Sequence, residues 1–272
     1  MATEKPQQHP GSDGAWDPVH YLRHADERGR PFVELLARVG LTDPTDPNDV
    51  VDLGCGPGNL TAVLQQRWPR ARVVGVDDSP EMVAAARARP GLDVVEADLG
   101  TWLAEAGPGV VDLLVSNATL QWLPDPLAVL PDLVAAVRPG GWLAIGVPAN
   151  FDEPSHVLRE ELAADPRFVA HTAGVSRPGA PRVEAWWQAL HDLGCTVDAW
   201  ETRYLHVLRG PDPVFDWVSA TGARPTLAAL PEPLREQFAE EYRAALRRAY
   251  PERDGVTVLP FRRSFVVARV PA

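Results

Sequence analysis

The chain has 272 residues, 45% of them hydrophobic, and its 26 Lys and Arg against 37 Asp and Glu give a formal net charge of −11. This surplus of negative charge argues against nucleic acid and anionic membranes as partners, because both need a positive protein face. Two cysteines are too few for a disulfide framework or a zinc finger, and we predict no metal site. No stretch approaches the ~18 apolar residues of a membrane helix, and the polar N-terminus lacks an apolar signal region, so we expect a soluble, cytoplasmic protein.

The cations are unusual in that Lys5 is the only lysine and all the others are arginines. A GC-rich codon bias would explain this, because Ala, Pro, Gly and Val are also frequent. Alternatively, some arginines hold a carboxylate ligand, because a planar guanidinium matches a carboxylate bidentately and an ammonium does not.

The N-terminal part of the chain divides into two segments. Residues 1–14 are polar and lack apolar periodicity, so we predict a disordered lead-in. Residues 15–42 are predicted to form an N-terminal helical segment. The apolar residues of Phe32–Val39 follow the i, i+3, i+4, i+7 spacing of one helix face.

From residue 43 to residue 150, short apolar runs alternate with helical patterns. This alternation is typical of βαβ units, in which helices cover both faces of a parallel sheet. The segment therefore predicts an α/β ligand-binding core. Its strands are expected at Val50–Leu53, Ala71–Val76, Asp93–Ala97, Val110–Ser116 and Trp142–Val147.

Beyond residue 150 the pattern is less regular. We predict an irregular helical cap segment (151–182), a core helix and strand (183–209), a helical insertion (210–255) and a final core strand (256–272). If the final strand runs antiparallel to the others, both ends of the insertion lie at the carboxyl edge of the sheet, where ligands bind. The predicted fold class is α/β: a doubly wound, mostly parallel seven-stranded sheet, its last strand antiparallel, with the insertion acting as a lid.

The most informative stretch is the one in which an apolar strand runs into Gly54, Gly56 and Gly58 and then directly into a helix. Missing side chains allow a tight turn and let a ligand approach the backbone beside a helix N-terminus, although a tight turn without a ligand is also possible. A dinucleotide site has the spacing Gly-x-Gly-x-x-Gly, whereas here the third glycine comes one residue early, and Pro57 has no N–H. Asp52 would also repel a phosphate. A ligand with a cationic head and no phosphate suits this loop better.

A second acid, Asp77, follows Gly58 by 19 residues at the end of the next predicted strand. An acid at this place pairs with the two hydroxyls of a ribose. Ser79 is expected to cap the next helix, with Pro80 in its first turn, which leaves Asp77 at the strand tip. The alternative is that Asp77 is a second capping residue.

These features resemble the class I S-adenosylmethionine-dependent methyltransferases, which have a Rossmann-like core. Four stretches of the sequence match that family in the same order. They are Asp52–Gly58, Asp77, Glu96–Trp102 and Arg138–Trp142.

The resemblance implies S-adenosyl-L-methionine as the cofactor and S-adenosyl-L-homocysteine as the product. It places the three glycines at the methionine moiety, Asp77 at the ribose, and Asp98 and Leu99 at the adenine. Asn117 would lie beside the transferred methyl group, and Asp98 can cap the following helix as well. The predicted cofactor-binding residues are Asp52, Gly54, Gly56, Gly58, Asp77, Asp78, Met82, Asp98, Leu99 and Asn117.

Three stretches outside this common core resemble the trans-aconitate 2-methyltransferases: Trp16–Pro31, Ser116–Trp122 and Trp217–Pro225. The resemblance covers nearly the whole chain from Trp16 onward. The polar extension before Trp16 departs from the family's pattern. It implies formation of the monomethyl ester of trans-aconitate. The alternative is a methyltransferase of the same fold that acts on another small carboxylate or on a natural-product hydroxyl.

A carboxylate acceptor, with a pKa of about 4, is ionised at neutral pH and needs no general base. We therefore predict arginines and aromatic walls that position the acceptor. The predicted catalytic residues are Gln121, Trp122, Tyr21 and Arg224, and the predicted substrate-binding residues are Arg28, Trp217 and Arg263. Arg262 and Arg263 must point to opposite faces of a strand, so we expect only one of them to reach the ligand.

Two other classes of function are less consistent with the sequence. The glycine spacing and Asp52 disfavour a nicotinamide oxidoreductase. The Gln121-Trp122 segment and the lid disfavour a non-catalytic scaffold that merely binds the cofactor. We expect a small polycarboxylate as the partner, and a protein that is a monomer or a weak homodimer.

Overall fold

The computed structural model describes residues 25–41 and 47–272, and its central element is a seven-stranded sheet. The strands are β1 (Asp49–Leu53), β2 (Arg72–Asp77), β3 (Asp93–Glu96), β4 (Val111–Asn117), β5 (Val137–Pro148), β6 (Thr196–Leu208) and β7 (Thr257–Arg269). The helices within the core are α1 (Ala25–Leu36), α2 (Thr61–Arg67), α3 (Pro80–Arg87), α4 (Leu99–Ala106), a 3₁₀ turn (Leu120–Trp122) and α5 (Leu130–Ala136). The later helices are α6 (Pro154–Ala163), α7 (Val169–Thr172), α8 (Val183–Asp192), α9 (Pro213–Ser219), α10 (Arg224–Ala229) and α11 (Glu232–Ala249).

The strand order is β3-β2-β1-β4-β5-β7-β6. Strands β1 to β5 pair in parallel, whereas β7 lies antiparallel between β5 and β6. The predicted seven-stranded, doubly wound sheet with an antiparallel last strand is therefore confirmed. The strand order reverses between β1 and β4, and in such sheets the crevice at the reversal is where ligands bind.

Alternate residues of the central strands pack into two different cores. Val50 on β1 packs with Phe32 of α1 on one face of the sheet, while Val51 lies in the cluster of Trp186 and Leu190 of α8 on the other face. All five side chains are at most 5% exposed. Burial on both faces explains why the strands read as continuous apolar runs instead of alternating with polar residues.

The predicted cap segment and the predicted lid share one apolar core, which we call the cap. Phe168 after α6 packs against Phe238 of α11 with 5.2 Å between ring centroids. Tyr242 of α11 donates a hydrogen bond to the Ser155 carbonyl, and the Ser155 N–H donates to the Tyr250 hydroxyl at 3.0 Å. Two tyrosines from the end of the insertion thus hold the first turn of α6 over the sheet.

Strand β5 begins earlier than the sequence pattern predicts, at Val137 instead of Trp142. Arg138, which belongs to one of the stretches that resemble the methyltransferases, forms ion pairs of 2.9 Å with Asp49 and 2.8 Å with Asp112. These acids lie at or near the amino ends of β1 and β4, away from the carboxyl edge. Arg138 therefore ties three strands together at the edge opposite the ligand crevice.

Some predictions concern residues that the structure does not describe. The lead-in, the first part of the N-terminal helical segment and Tyr21 lie outside the described residues, and α1 is described from Ala25. Within the described ranges, no helix is both long enough and apolar enough to cross a membrane.

Candidate active site

The glycine loop after β1 turns back onto the tip of β2. Gly54, Gly56 and Gly58 have φ angles of 77°, 54° and 73°, in the left-handed region that glycine adopts without a steric cost. The N–H groups of Gly54 and Cys55 both donate to the Val76 carbonyl, at 2.7 and 3.0 Å. A Cβ on Gly54 would lie 1.9 Å from Thr119 Oγ1, whereas a Cβ on Gly56 would meet no described atom within 4 Å. Gly54 is thus needed for packing, while Gly56 faces open space that a ligand can enter.

The carboxylate of Asp77 orders this loop. One of its oxygens accepts the Gly56 N–H at 2.8 Å and the other accepts the Ser79 N–H at 3.0 Å. Burial raises the pKa of Asp77, and these two backbone hydrogen bonds oppose that rise. Asp77 therefore joins the glycine loop to the start of α3. The contact with Ser79 fits the alternative that Asp77 is a second capping residue, whereas the contact with Gly56 was not predicted from the sequence.

Asp52 is the most deeply buried acid of this edge, with 3% of its surface exposed. Its carboxylate accepts a hydrogen bond from the Thr61 hydroxyl at 2.7 Å. Burial, to which the nearby negative charge of Asp77 adds, raises the pKa of Asp52 to about 7. A cationic ligand at this edge would favour the ionised form of Asp52.

The remaining predicted cofactor residues lie along the same edge. Asp98 caps α4, because its carboxylate accepts the Thr101 N–H at 3.0 Å. Leu99 is half-buried beside it, Met82 is buried on α3, and Asp78 is exposed at the end of β2. The helix cap is confirmed, and the contacts of these residues with adenine or ribose stay predictions.

Hydrogen bonds of Asn117 and Ala118 order the end of β4 and the turn that follows it. Asn117 is buried, and its side-chain oxygen accepts a hydrogen bond from Arg263 Nη1 at 3.1 Å. Ala118 has a φ of 59°, which is uncommon for a residue with a Cβ and typical of strained positions at functional sites. The Gln121 side-chain amide donates to the Ala118 carbonyl at 2.6 Å and holds this turn.

A cavity of about 80 Å³ lies between this turn and the cap. Gln121 and Trp122 line it from the 3₁₀ turn, and Phe261 and Arg263 line it from β7. Trp217 of α9 closes it from the insertion. The cavity therefore begins at the turn after β4 and extends under the cap.

Helix α6 supplies two polar residues to the cavity that the sequence analysis missed, His156 and Arg159. Both are buried, and Arg159 donates hydrogen bonds to the Gly222 carbonyl and, at 3.0 Å, to Glu160. Burial lowers the pKa of His156 to about 4, and the charge of Arg159 adds to this effect while that of Asp152 opposes it. The available signal was the four-residue spacing of Ser155 and Arg159, which puts them on one helix face.

Similarity to known proteins shows the family to which the chain belongs. A family model described as a methyltransferase domain matches residues 50–141. The chain is 50% identical over 268 residues to the trans-aconitate 2-methyltransferase of Streptomyces avermitilis, covering 95% of this chain and 98% of that protein. It is 44% identical over 256 residues to the trans-aconitate 2-methyltransferase of Escherichia coli O157:H7, covering 93% and 98%. The chain belongs to the trans-aconitate 2-methyltransferase family.

Solved structures of lower identity share the fold. The Haemonchus contortus phosphoethanolamine N-methyltransferase 2, in complex with phosphomonomethylethanolamine and S-adenosylhomocysteine, aligns with a TM-score of 0.53 at 16% identity. The alignment covers 89% of this chain and 53% of that chain. The predicted family and enzyme class, a methyltransferase, are confirmed by the relatives.

The cavity brings together four residues that the sequence analysis predicted to be catalytic or to bind the substrate. They are Gln121, Trp122, Trp217 and Arg263. Arg224 is not among the lining residues; it is half-buried on α10, and the acids whose charges act on it are Asp78 and Glu81. The Arg28 side chain and Tyr21 lie outside the described part of the chain.

We expected that at most one of the two adjacent arginines reaches a ligand, and only Arg263 of this pair is among the residues that line the cavity. Arg263 lines the cavity and is 6% exposed. Arg262 points away and donates to the Ala149 carbonyl at 2.8 Å and to Asp152 at 2.7 Å. The roles of these residues in catalysis stay predictions.

Proposed function

We propose that this protein transfers a methyl group from S-adenosyl-L-methionine to a carboxylate of trans-aconitate and forms a monomethyl ester. The observation that carries the proposal is the cavity that begins at the turn after β4, at the carboxyl edge of the sheet, and has the buried cation of Arg263 at its wall. Close relatives named for this reaction support the same acceptor.

The residues at the carboxyl ends of β1 and β2 fit S-adenosyl-L-methionine. We call this region the cofactor edge, and it consists of Asp52, Gly54, Gly56, Gly58 and Asp77. The open space at Gly56 admits a ligand close to the backbone, and the Asp77 carboxylate lies at the tip of β2, where a ribose is held in such folds. The buried carboxyl group of Asp52 favours a ligand with a positive charge, because such a charge stabilises its ionised form. When bound, this cofactor supplies an electrophilic methyl group on a sulfonium.

The protein's own task is then to orient one carboxylate oxygen and exclude water. The Arg263 guanidinium can bind a carboxylate bidentately, and its hydrogen bond to Asn117 fixes its direction. Gln121, Trp122 and Trp217 wall the cavity against solvent. Such positioning is worth up to ~7–11 kcal/mol of barrier in well-oriented systems.

No proton has to be removed from a carboxylate at neutral pH, so the reaction needs no general base. A hydroxyl acceptor, in contrast, would need one. Among the described residues that line the cavity, His156 is the only imidazole, and with a pKa of about 4 it is a poor proton acceptor at neutral pH. This favours the carboxylate over the hydroxyl.

The deciding experiment incubates the purified protein with methyl-labelled S-adenosyl-L-methionine and a panel of tricarboxylates and natural-product alcohols. We expect a base-labile monomethyl ester on trans-aconitate, identified by mass. Turnover of another acceptor with no ester on trans-aconitate would contradict the proposal.

A pair of adjacent variants tests the role of Arg263. Arg263→Gln removes the cation from the cavity wall and should lower kcat/KM for trans-aconitate about 100-fold, in line with the loss of one buried charge-assisted contact. Arg262→Gln is the matched control, because Arg262 points out of the cavity, and it should keep most of the activity. Equal losses in both variants would argue against a specific role for Arg263.

A further inference from the structure

One wall of the cavity holds a group of buried polar side chains that the reaction at Arg263 does not use. We call it the cap wall, and it consists of Asn150, Ser155, His156 and Arg159. All four are buried, with 1%, 2%, 8% and 3% of their surfaces exposed. Three come from α6, and Asn150 comes from the loop between β5 and α6.

Three polar atoms of the cap wall have no hydrogen-bond partner among the described residues. They are Asn150 Oδ1, Ser155 Oγ and His156 Nδ1. Buried polar atoms in native proteins are nearly always paired, and one that is not requires an explanation. Several such atoms around one cavity indicate a polar ligand that supplies the missing partners.

The cap wall also contains a positive charge. Arg159 is 3% exposed; it donates a hydrogen bond to the Gly222 carbonyl and forms an ion pair of 3.0 Å with Glu160, whose side chain is 39% exposed. A guanidinium has five N–H donors, so it can bind a further anion beside these partners. Among the described residues, the acid whose charge acts on His156 is Asp152, which is exposed on the loop before α6.

The polar groups of the cap wall can all donate to a carboxylate. The Ser155 hydroxyl rotates freely, His156 can carry its proton on Nδ1, and the Asn150 amide presents NH₂ when it is flipped. Arg263, in contrast, lies beside Asn117 at the end of β4, where the methyl group is expected. The two buried arginines thus line one cavity from β7 and from α6.

We propose that the cap wall binds a carboxylate of the acceptor other than the one that is methylated, and that it thereby selects polycarboxylates over monocarboxylates. This inference rests on the proposed function, because it assumes that a carboxylate is methylated next to Arg263. An acceptor with one carboxylate would leave the three unpaired atoms of the cap wall without a partner, which is costly in a buried site.

The test compares three unsaturated acceptors that carry three, two and one carboxylates: trans-aconitate, glutaconate and crotonate. The wild-type protein should show kcat/KM values that fall in this order. Arg159→Gln should raise KM for trans-aconitate at least ten-fold and change kcat/KM for crotonate less than three-fold, so that the discrimination between the two collapses. Arg182→Gln, at an arginine with 88% of its side chain exposed, is the matched control.

Two further measurements separate recognition from folding. S-adenosyl-L-homocysteine affinity should be unchanged in Arg159→Gln, because the cofactor edge does not contain this residue. Should Arg159→Gln fail to fold, Arg159→Lys and His156→Gln carry the test, and each should reduce the same discrimination at least three-fold. An equal loss for trans-aconitate and crotonate, or an unchanged discrimination, would overturn the inference. Failure of the proposed function looks different: the wild-type protein itself would not methylate trans-aconitate, and this would overturn both.

Discussion

The two halves of the active site differ in how their polar groups are paired. At the cofactor edge, the carboxylates of Asp52 and Asp77 accept hydrogen bonds from Thr61, Gly56 and Ser79. At the cap wall, three buried polar atoms have no partner among the described residues. The polar groups of the cofactor edge are therefore paired within the protein, whereas those of the cap wall leave partners for a ligand to supply, as our inference requires. Preorganisation of the first half lowers the cost of ordering it on binding.

Each half also holds a buried ionisable group, and burial shifts the two pKa values in opposite directions. Burial raises the pKa of Asp52 to about 7 and lowers that of His156 to about 4, so in each case burial favours the neutral form. The cofactor edge, with two acids, suits a cation, and the cap wall, with Arg159, suits an anion.

The largest effect is expected from a pair of glycine variants that breaks the cofactor edge in two different ways. In Gly54→Ala the new Cβ would lie 1.9 Å from Thr119 Oγ1 at a φ of 77°. Overpacking and left-handed strain together should lower the free energy of unfolding by about 4 kcal/mol.

Gly56→Ala is the matched variant, because no described atom lies within 4 Å of its new Cβ. It should cost only about 1 kcal/mol of stability from backbone strain. Its Cβ occupies the space that the ligand needs, so the affinity for S-adenosyl-L-homocysteine should fall about ten-fold. Urea unfolding and calorimetric titration measure the two effects. A stable Gly54→Ala protein would show that the loop is less tightly packed than the structure indicates.

The next effect concerns Asp77. Asp77→Ala removes the acceptor of two backbone N–H groups. If our prediction holds, it also removes the acceptor of the ribose hydroxyls. We expect the affinity for S-adenosyl-L-homocysteine to fall about 100-fold, since hydrogen bonds to a charged group are worth about 1.5–3 kcal/mol each. Asp93→Ala, at an exposed acid that begins β3, should bind the cofactor product like the wild type. A loss below three-fold in Asp77→Ala would remove Asp77 from the cofactor site.

The smallest effect is a pH dependence of stability that originates in the cap. Because the pKa of His156 is lowered, the unfolded state binds more protons than the folded state between about pH 6.5 and 4. The free energy of unfolding is therefore unaffected by His156 above about pH 6.5 and decreases as the pH falls below that value. Between pH 8 and pH 5 the loss should be about 2 kcal/mol.

His156→Gln should abolish this part of the pH dependence, measured by urea unfolding at both pH values. His191→Gln, at an exposed imidazole stacked on Trp187, should retain it. If the free energy of unfolding changed equally with pH in His156→Gln and in the wild type, His156 would not be the group that titrates.

The sequence predicted the glycine turn after β1 and the helix cap at Asp98 because the signals for both are local. A strand, alternating glycines, an acid after the next strand and a helix cap at Asp98 each involve residues close together in the chain. The cap wall escaped prediction because its burial is not local. The carbonyl that Arg159 contacts belongs to Gly222, 63 residues away, and the hydroxyl bound to the Ser155 N–H belongs to Tyr250, 95 residues away.

Arg262 and Arg263 show the limit of a periodic pattern. Alternation along a strand predicts that only one of them faces the ligand, but it does not say which one. The choice depends on register: Arg263 lies opposite Pro148 at the carboxyl end of β5, next to the cavity. Such a pairing between distant strands is fixed by the packing of the whole sheet.

The two tyrosines that hold the first turn of α6 have a consequence for protein engineering. Tyr242 and Tyr250 bind the carbonyl and the N–H of the same residue, Ser155. A chimera that exchanges 151–182 alone, or 210–255 alone, with a relative of different acceptor preference would misalign α6 at this double contact. The two segments are separated in the sequence, yet they form one transplantable module.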